Sequence, residues 1–138
     1  MADGSRHLAR KSAVQALYQW DLTEQAPGDI EHHFISDHDF SGVDEEYFHH
    51  LVTQVPLYHQ EIDSRLGQYL DRDITKVDPV EKAILRIGAY ELEYEHTIPV
   101  RVVLDEAIEL SKMFGAEHGF RFVNGVLDKL VAELRPDQ

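Results

Sequence analysis

The chain has 138 residues, 43% of them hydrophobic, a formal net charge of −13 and no cysteine. That length and apolar share suffice for one domain, or two closely packed halves, with a true core, and the missing cysteine excludes disulfides, thiol nucleophiles and thiolate-held zinc or iron–sulfur clusters. No apolar run reaches membrane-spanning length and Met1 to Arg10 lacks the apolar middle of a secretory signal, so no membrane partner and a cytoplasmic location are expected.

Nearly every segment carries a 3.6-residue apolar period, and the few β-branched runs do not alternate as strands would, which predicts an all-α fold. The first helix is expected from about Ser5 to Gln25, with Ala13, Ala16, Leu17 and Trp20 inward and a stop at Pro27-Gly28. A weaker helix covers Ile30 to Ser36. Asp44 has the character of an N-cap, with Glu45 and Glu46 in the first turn of a long helix that turns Phe48, Leu51, Val52, Val55, Ile62 and Leu66 inward. Pro56 lies inside that helix and should kink or split it, because proline lacks the N–H and clashes with the preceding turn.

Asp78-Pro79 places a cap before a proline at the first helical position, starting a helix that runs to about Glu95. Pro99 opens the next, with Val100, Val103, Leu104, Ala107 and Ile108 inward and a stop at Phe114-Gly115. The last begins near Glu117 and frays after Arg135-Pro136. Short connections imply antiparallel neighbours, so the expected architecture is two small packed helical bundles of about six to seven helices, with halves at about 1–70 and 71–138 of a single 1–138 domain.

In the last helix Phe120, Val123, Leu127, Leu130, Val131 and Leu134 share one stripe at 100° per residue. Phe122 falls more than a quarter turn away, beside Lys129, bordered by Arg121 and by the missing side chain of Gly125. A flat ring flanked by cations is a seat for a nucleic-acid base; equally, Phe122 could pack on a neighbouring helix or a second copy of the chain. The first helix offers a companion set, with Arg6 and Arg10 one turn apart and Lys11, Gln15 and Tyr18 close by, the groups that phosphates, base edges and base faces need. The same residues would also suit a solvated first turn and a core-edge aromatic. Charge distribution favours the first use: residues 1–20 carry Arg6, Arg10 and Lys11 against Asp3, a balance of +2, while the rest of the chain carries −15.

Two Glu-x-x-His spacings, Glu46 with His49 and Glu93 with His96, raise a di-metal carboxylate bundle. Helical phase opposes it, since Glu93 lies on the stripe of Lys82 and Arg86, taken as the polar face of its helix, and the inward face of 43–70 is aliphatic. His32, His33, His38, His49 and His50 are expected at the surface. With no Gly-rich phosphate loop, no metalloprotease motif and no nucleophile elbow, no enzymatic activity, metal or cofactor is expected.

Four strings combine further: Ala9-Arg10 with Ala13-Val14-Gln15-Ala16-Leu17-Tyr18; Val80-Glu81-Lys82-Ala83-Ile84-Leu85-Arg86-Ile87; Asp105-Glu106-Ala107-Ile108-Glu109-Leu110; and Phe114-Gly115-Ala116-Glu117 with Phe122-Val123-Asn124-Gly125-Val126-Leu127-Asp128-Lys129. Together, over essentially the whole chain, they resemble the NusB family of bacterial transcription antitermination factors. The resemblance implies a non-enzymatic protein that binds the boxA element of ribosomal RNA leader transcripts together with NusE, a small-subunit ribosomal protein, and joins the RNA polymerase antitermination complex; some members form homodimers that mask the RNA face. It carries RNA binding to Arg6, Arg10, Gln15, Tyr18, Phe122, Asn124 and Lys129, with Lys11 adding a cation, and the NusE side to Glu81 and Arg86. His7 and Leu8 interrupt the arginine run that many members have, which implies a shallower salt dependence, and His118 stands where an acidic residue is common, which removes a repulsion. Two alternatives remain open at this level: a protein-binding helical module or homodimer without RNA, and a NusB-like domain of a ribosomal RNA methyltransferase, although no α/β cofactor domain follows within the 138 residues.

Overall fold

A computed structural model describes residues 4–115 and 119–138, and among these the expected all-α character holds, with seven α-helices and no strand. They are α1 (Gly4–Thr23), α2 (Pro27–Asp37), α3 (Glu45–Leu57), α4 (His59–Gly67), α5 (Pro79–Tyr94), α6 (Val100–Phe114) and α7 (Gly119–Leu134), with a 3-10 turn at Ile74–Lys76 before α5. The chain divides into two compact units, Met1–Tyr58 and His59–Gln138, rather than near residue 70. Pro56 breaks the helix next to that boundary. It removes the N–H that would bond the carbonyl four residues back, α3 stops one residue later at Leu57, and the helix restarts as α4 after Tyr58. His118 and Glu117, which figured in the sequence reading, lie outside the described residues.

In the first unit α1 packs on α2 and α3. Proline at the first position of α2 starts that helix at Pro27, three residues before the expected Ile30, so Pro27 acts as a start as well as a stop. Glu24, with φ of 60°, makes the left-handed turn between α1 and α2, a conformation that glycine would adopt more easily. The Asp44 cap forms as expected, its carboxylate accepting from the Tyr47 N–H at 3.0 Å, and its own N–H donates to the Ser5 carbonyl at 3.0 Å, tying the start of α1 to the start of α3. Phe48 is fully buried against the rings of Phe34 and Phe40. Trp20, expected in the core, is only half-buried.

In the second unit α5 is the central helix, buried without interruption from Lys82 to Leu92 and packed on α4, α6 and α7. The expected polar face of α5 is therefore inside the protein. Its charges are covered because they find partners: Arg86 makes a two-pronged pair with Asp63 of α4, at 2.9 and 2.8 Å. Asp78 caps α5 through the N–H groups of Val80 and Glu81, each at 3.1 Å. At the far end of α6, Gly115 is extended rather than left-handed, and what requires glycine is space, since a Cβ there would sit 2.6 Å from the Ser111 carbonyl oxygen. Along α7 the buried set is Gly119, Val123, Val126, Leu127 and Leu130; Phe120 is half-buried, with Lys112 and Arg121 over its ring at 5.0 and 5.7 Å.

The chain does not simply fray after α7. Arg135 is 4% exposed and uses all five guanidinium N–H groups: Nε donates to the Leu92 carbonyl at 2.9 Å, Nη1 to Ile98 at 2.7 Å and to the Gln138 side chain at 3.3 Å, and Nη2 to Glu91 and Glu95 at 3.0 Å each. Four of the five acceptors are backbone carbonyls at the end of α5 and in the turn beyond it; those of Glu91 and Glu95 also accept from the N–H groups of Glu95 and Ile98, so Arg135 is their second donor. Arg135→Met, which keeps most of the stem and removes the donors, is expected to lower unfolding free energy by about 3 kcal/mol or more in urea melts, from buried carbonyls left unsatisfied. A loss below about 0.5 kcal/mol, the range of ordinary surface substitutions, would contradict this role.

Candidate nucleic-acid interface

On α1 the alanines and branched residues Ala9, Ala13, Val14, Ala16 and Leu17 are buried, which turns Lys11, Gln15 and Tyr18 outward at helical spacing. Tyr18 is 38% exposed and Gln15 exposed, with Lys11 half-buried one turn before Gln15. A cation, an amide and a phenol thus follow one another along one outward stripe. Leu8 and Leu22, both exposed, extend the stripe at its two ends.

The two arginines of this helix behave differently. Arg10 is 4% exposed, with its guanidinium 5.4 Å from the centre of the Tyr47 ring on α3. Arg6 lies 4.0 Å from the centre of the same ring and 3.8 Å from the Asp44 carboxylate, and stays partly exposed. Cation–π contact with Tyr47 draws both inward, so Arg10 is a packing group in this structure and Arg6 a half-committed one. Sequence reasoning passed over Tyr47, because the contact joins residues about forty apart and leaves no local signal.

On α7 the structure places Phe122 half-buried with the Arg72 guanidinium 4.9 Å from its ring centre. Lys129, two turns on, is exposed, and the space above Gly125 is open, with nothing within 4 Å of where its Cβ would be. Asn124 is half-buried and makes a long bond of 3.4 Å to Asp128 on the next turn, which leaves its amide available for exchange. Arg72 was absent from the sequence reading.

The residues matched to a protein partner separate in the same way. Arg86, 6% exposed and paired with Asp63, is an internal strut. Glu81 is half-buried in the first turn of α5, and Gly119 lets its carboxylate approach the start of α7, where a Cβ would come within 2.5 Å of Oε2. Burial and the Asp78 carboxylate raise the Glu81 carboxyl above its ordinary range, against the opposing pull of Arg72. Of the residues weighed as metal ligands, His49 binds the Glu31 carboxylate at 2.8 Å, Glu93 is taken by Arg65 at 2.8 Å, and Glu46 and His96 are exposed. Among the described residues no three such groups converge.

A family model described as the NusB family matches residues 7–132. The chain is 50% identical over 131 residues to the transcription antitermination protein NusB of Alcanivorax borkumensis, covering 95% of this chain and 87% of that protein. It is 54% identical over 130 residues to the protein of the same name from Nitrosococcus oceani, covering 94% and 87%. Among solved structures it is similar to a crystal structure of the antitermination factors NusB and NusE in complex with double-stranded RNA, with a TM-score of 0.85, 29% identity, and coverage of 96% and 99% of the two chains.

Two measurements test these placements. Arg86→Ala is expected to cost about 3–5 kcal/mol of stability, since it strands the Asp63 carboxylate, whereas a partner-facing arginine would leave the melting temperature unchanged. Glu81→Gln should raise the melting temperature at pH 7, because the folded state disfavours the ionised carboxylate. The folded-state proton affinity exceeds the unfolded one, so wild-type stability falls as pH rises through the window between the two pKa values, and the advantage of the variant should close on acidification below it. An advantage constant from pH 7 into acid would contradict this.

Proposed function

Because the chain belongs to the NusB family, we propose that it is a non-enzymatic transcription antitermination factor that binds boxA-like single-stranded leader RNA of ribosomal RNA operons together with NusE and joins the RNA polymerase antitermination complex. The observation that carries this reading is the outward stripe of Lys11, Gln15 and Tyr18 on a helix whose other face buries Ala9, Ala13, Val14, Ala16 and Leu17. A cation, a hydrogen-bonding amide and a flat ring in succession suit a flexible single strand, whose phosphates, base edges and base faces are all within reach. The related solved structure of NusB and NusE with double-stranded RNA supports NusE and RNA as partners.

In this reading Tyr18 and Phe122 stack on bases, Lys11, Lys129 and Arg6 meet phosphates, and Gln15 and Asn124 bond base edges. Arg10, buried against Tyr47, holds the first helix in place rather than touching RNA. Glu81 lies on the side given to NusE, with Arg86 shaping that side from within. A second reading, in which a copy of the chain covers the α1 stripe, draws on the exposed Leu8 and Leu22 at its ends. It predicts a mass that rises with concentration and falls when RNA is added.

The discriminating experiment is a fluorescence-anisotropy titration of boxA and scrambled RNA, with and without NusE, at two salt concentrations. Phe122→Ala and Tyr18→Ala are each expected to weaken boxA binding by about 1–3 kcal/mol, the worth of one stacked base. Wild-type affinity in both variants, or no preference for boxA over scrambled RNA, would overturn the assignment.

A further inference from the structure

The ring of Phe122 is not bare. Arg72, in the connection between α4 and α5, sets its guanidinium 4.9 Å from the ring centre, and its side chain is 42% exposed to solvent. Asp71 holds an edge of that group, accepting from Nε at 2.8 Å and from Nη2 at 3.2 Å. Asp71 is itself 70% exposed, so the pair lies in water, where an ion pair between neighbours is weak and readily exchanged. Glu81 adds a second negative charge in the field of Arg72. Arg72 is thus a planar cation set near an aromatic ring and bound along its edge by a replaceable carboxylate.

Resting on the reading that RNA binds at Phe122, we propose that Arg72 is a further RNA-contacting residue, which exchanges the Asp71 carboxylate for the phosphate next to the base stacked at Phe122. A guanidinium fork matches two phosphate oxygens as well as it matches a carboxylate, and a phosphate carries its charge on a chain already anchored at the ring. The exchange also answers the charge problem of a chain at −13, because the cation is stored beside the aromatic seat instead of being spread over the surface. Lysine in its place would keep the charge and lose both the fork and the stacking plane.

Arg72→Ala, Arg72→Lys and Asp71→Asn in the full chain, titrated with boxA RNA over a series of salt concentrations, test the proposal. Arg72→Ala should weaken binding about tenfold and reduce the magnitude of the slope of log K against log salt by about 1. Arg72→Lys should restore the slope but only part of the affinity, and Asp71→Asn should tighten binding. An Arg72→Ala protein with wild-type affinity, or with weakened binding at an unchanged slope, overturns the proposal, the second result marking a packing role alone. An Asp71→Asn protein that binds no tighter than wild type overturns the exchange. Failure of the wild-type chain to bind boxA RNA overturns the proposed function and this inference together, whereas wild-type binding lost in Phe122→Ala but untouched in Arg72→Ala removes only the inference.

Discussion

The buried guanidinium of Arg135 ties the end of α7 to the end of α5 and to the turn that follows it. Its five donors meet one side-chain and four backbone acceptors across the end of α5 and the turn into α6. Apolar packing along Val123, Leu127 and Leu130 holds α7 against α5 but is tolerant of small slides, because dispersion and burial have no direction. Hydrogen bonds to fixed carbonyls are not tolerant of them. Arg135 therefore sets the axial position of α7, and with it the heights of Phe122, Asn124 and Lys129, which lie two to four turns upstream on a rigid rod. Arg65, bonded to Glu93 of α5 and Glu133 of α7, and Tyr69, bonded to the same Glu133, resist rotation of α7 about its own axis. Position and phase of the ring at 122 are thus set from the opposite end of its helix.

The same unit shows why a central helix carries Lys82, Arg86 and Glu91 in place of aliphatic residues. A buried pair such as Arg86 with Asp63 adds little net stability over well-packed hydrocarbon, because desolvation consumes most of the attraction. It does, however, penalise every alternative register of α4 on α5, since a shifted helix would leave a charge buried and alone. Aliphatic contacts such as Ile62 and Leu66 supply the drive to pack, and the ion pair selects one arrangement among several. For a protein whose surface groups must stand at set positions along neighbouring helices, that selection matters more than the last increment of stability.

What the sequence made legible follows the range of each interaction. Asp44, Asp78 and Pro79 act within one helical turn, and the ends they mark were found within a residue or two. Pro56 was legible as a break, although not as the boundary between two units, because a boundary depends on which helices pack and not on the break itself. The inward face of α3 was readable by period, but the polar stripe of α5 was misassigned: charge predicts exposure only when no partner is available, and Asp63 is 23 residues away in sequence. Phe120 and Phe122 show the same limit, since the residues that reach their rings, Lys112 and Arg72, come from other segments. On α1 the outward stripe was correct in phase, while the burial of Arg10 depended on Tyr47 and could not be seen from helix periodicity.

These rings share a further consequence for binding a polyanion with an acidic protein. Arg6 rests on Tyr47 and against Asp44; Arg72 rests on Phe122 and against Asp71. Each cation has both an aromatic ring and a carboxylate beside it, so its charge is partly cancelled until something displaces the carboxylate. Phosphate can do so, because the guanidinium fork matches its oxygens as well as those of a carboxylate, while a neutral or cationic surface cannot. Non-specific attraction from a distance is then weak, as the overall charge also dictates, and on the proposed RNA-binding reading contact is favoured where a phosphate and a base arrive together at the same ring. Specificity for a particular single strand is served by this arrangement better than by a bare basic patch, which would hold any nucleic acid and release counterions equally for all of them.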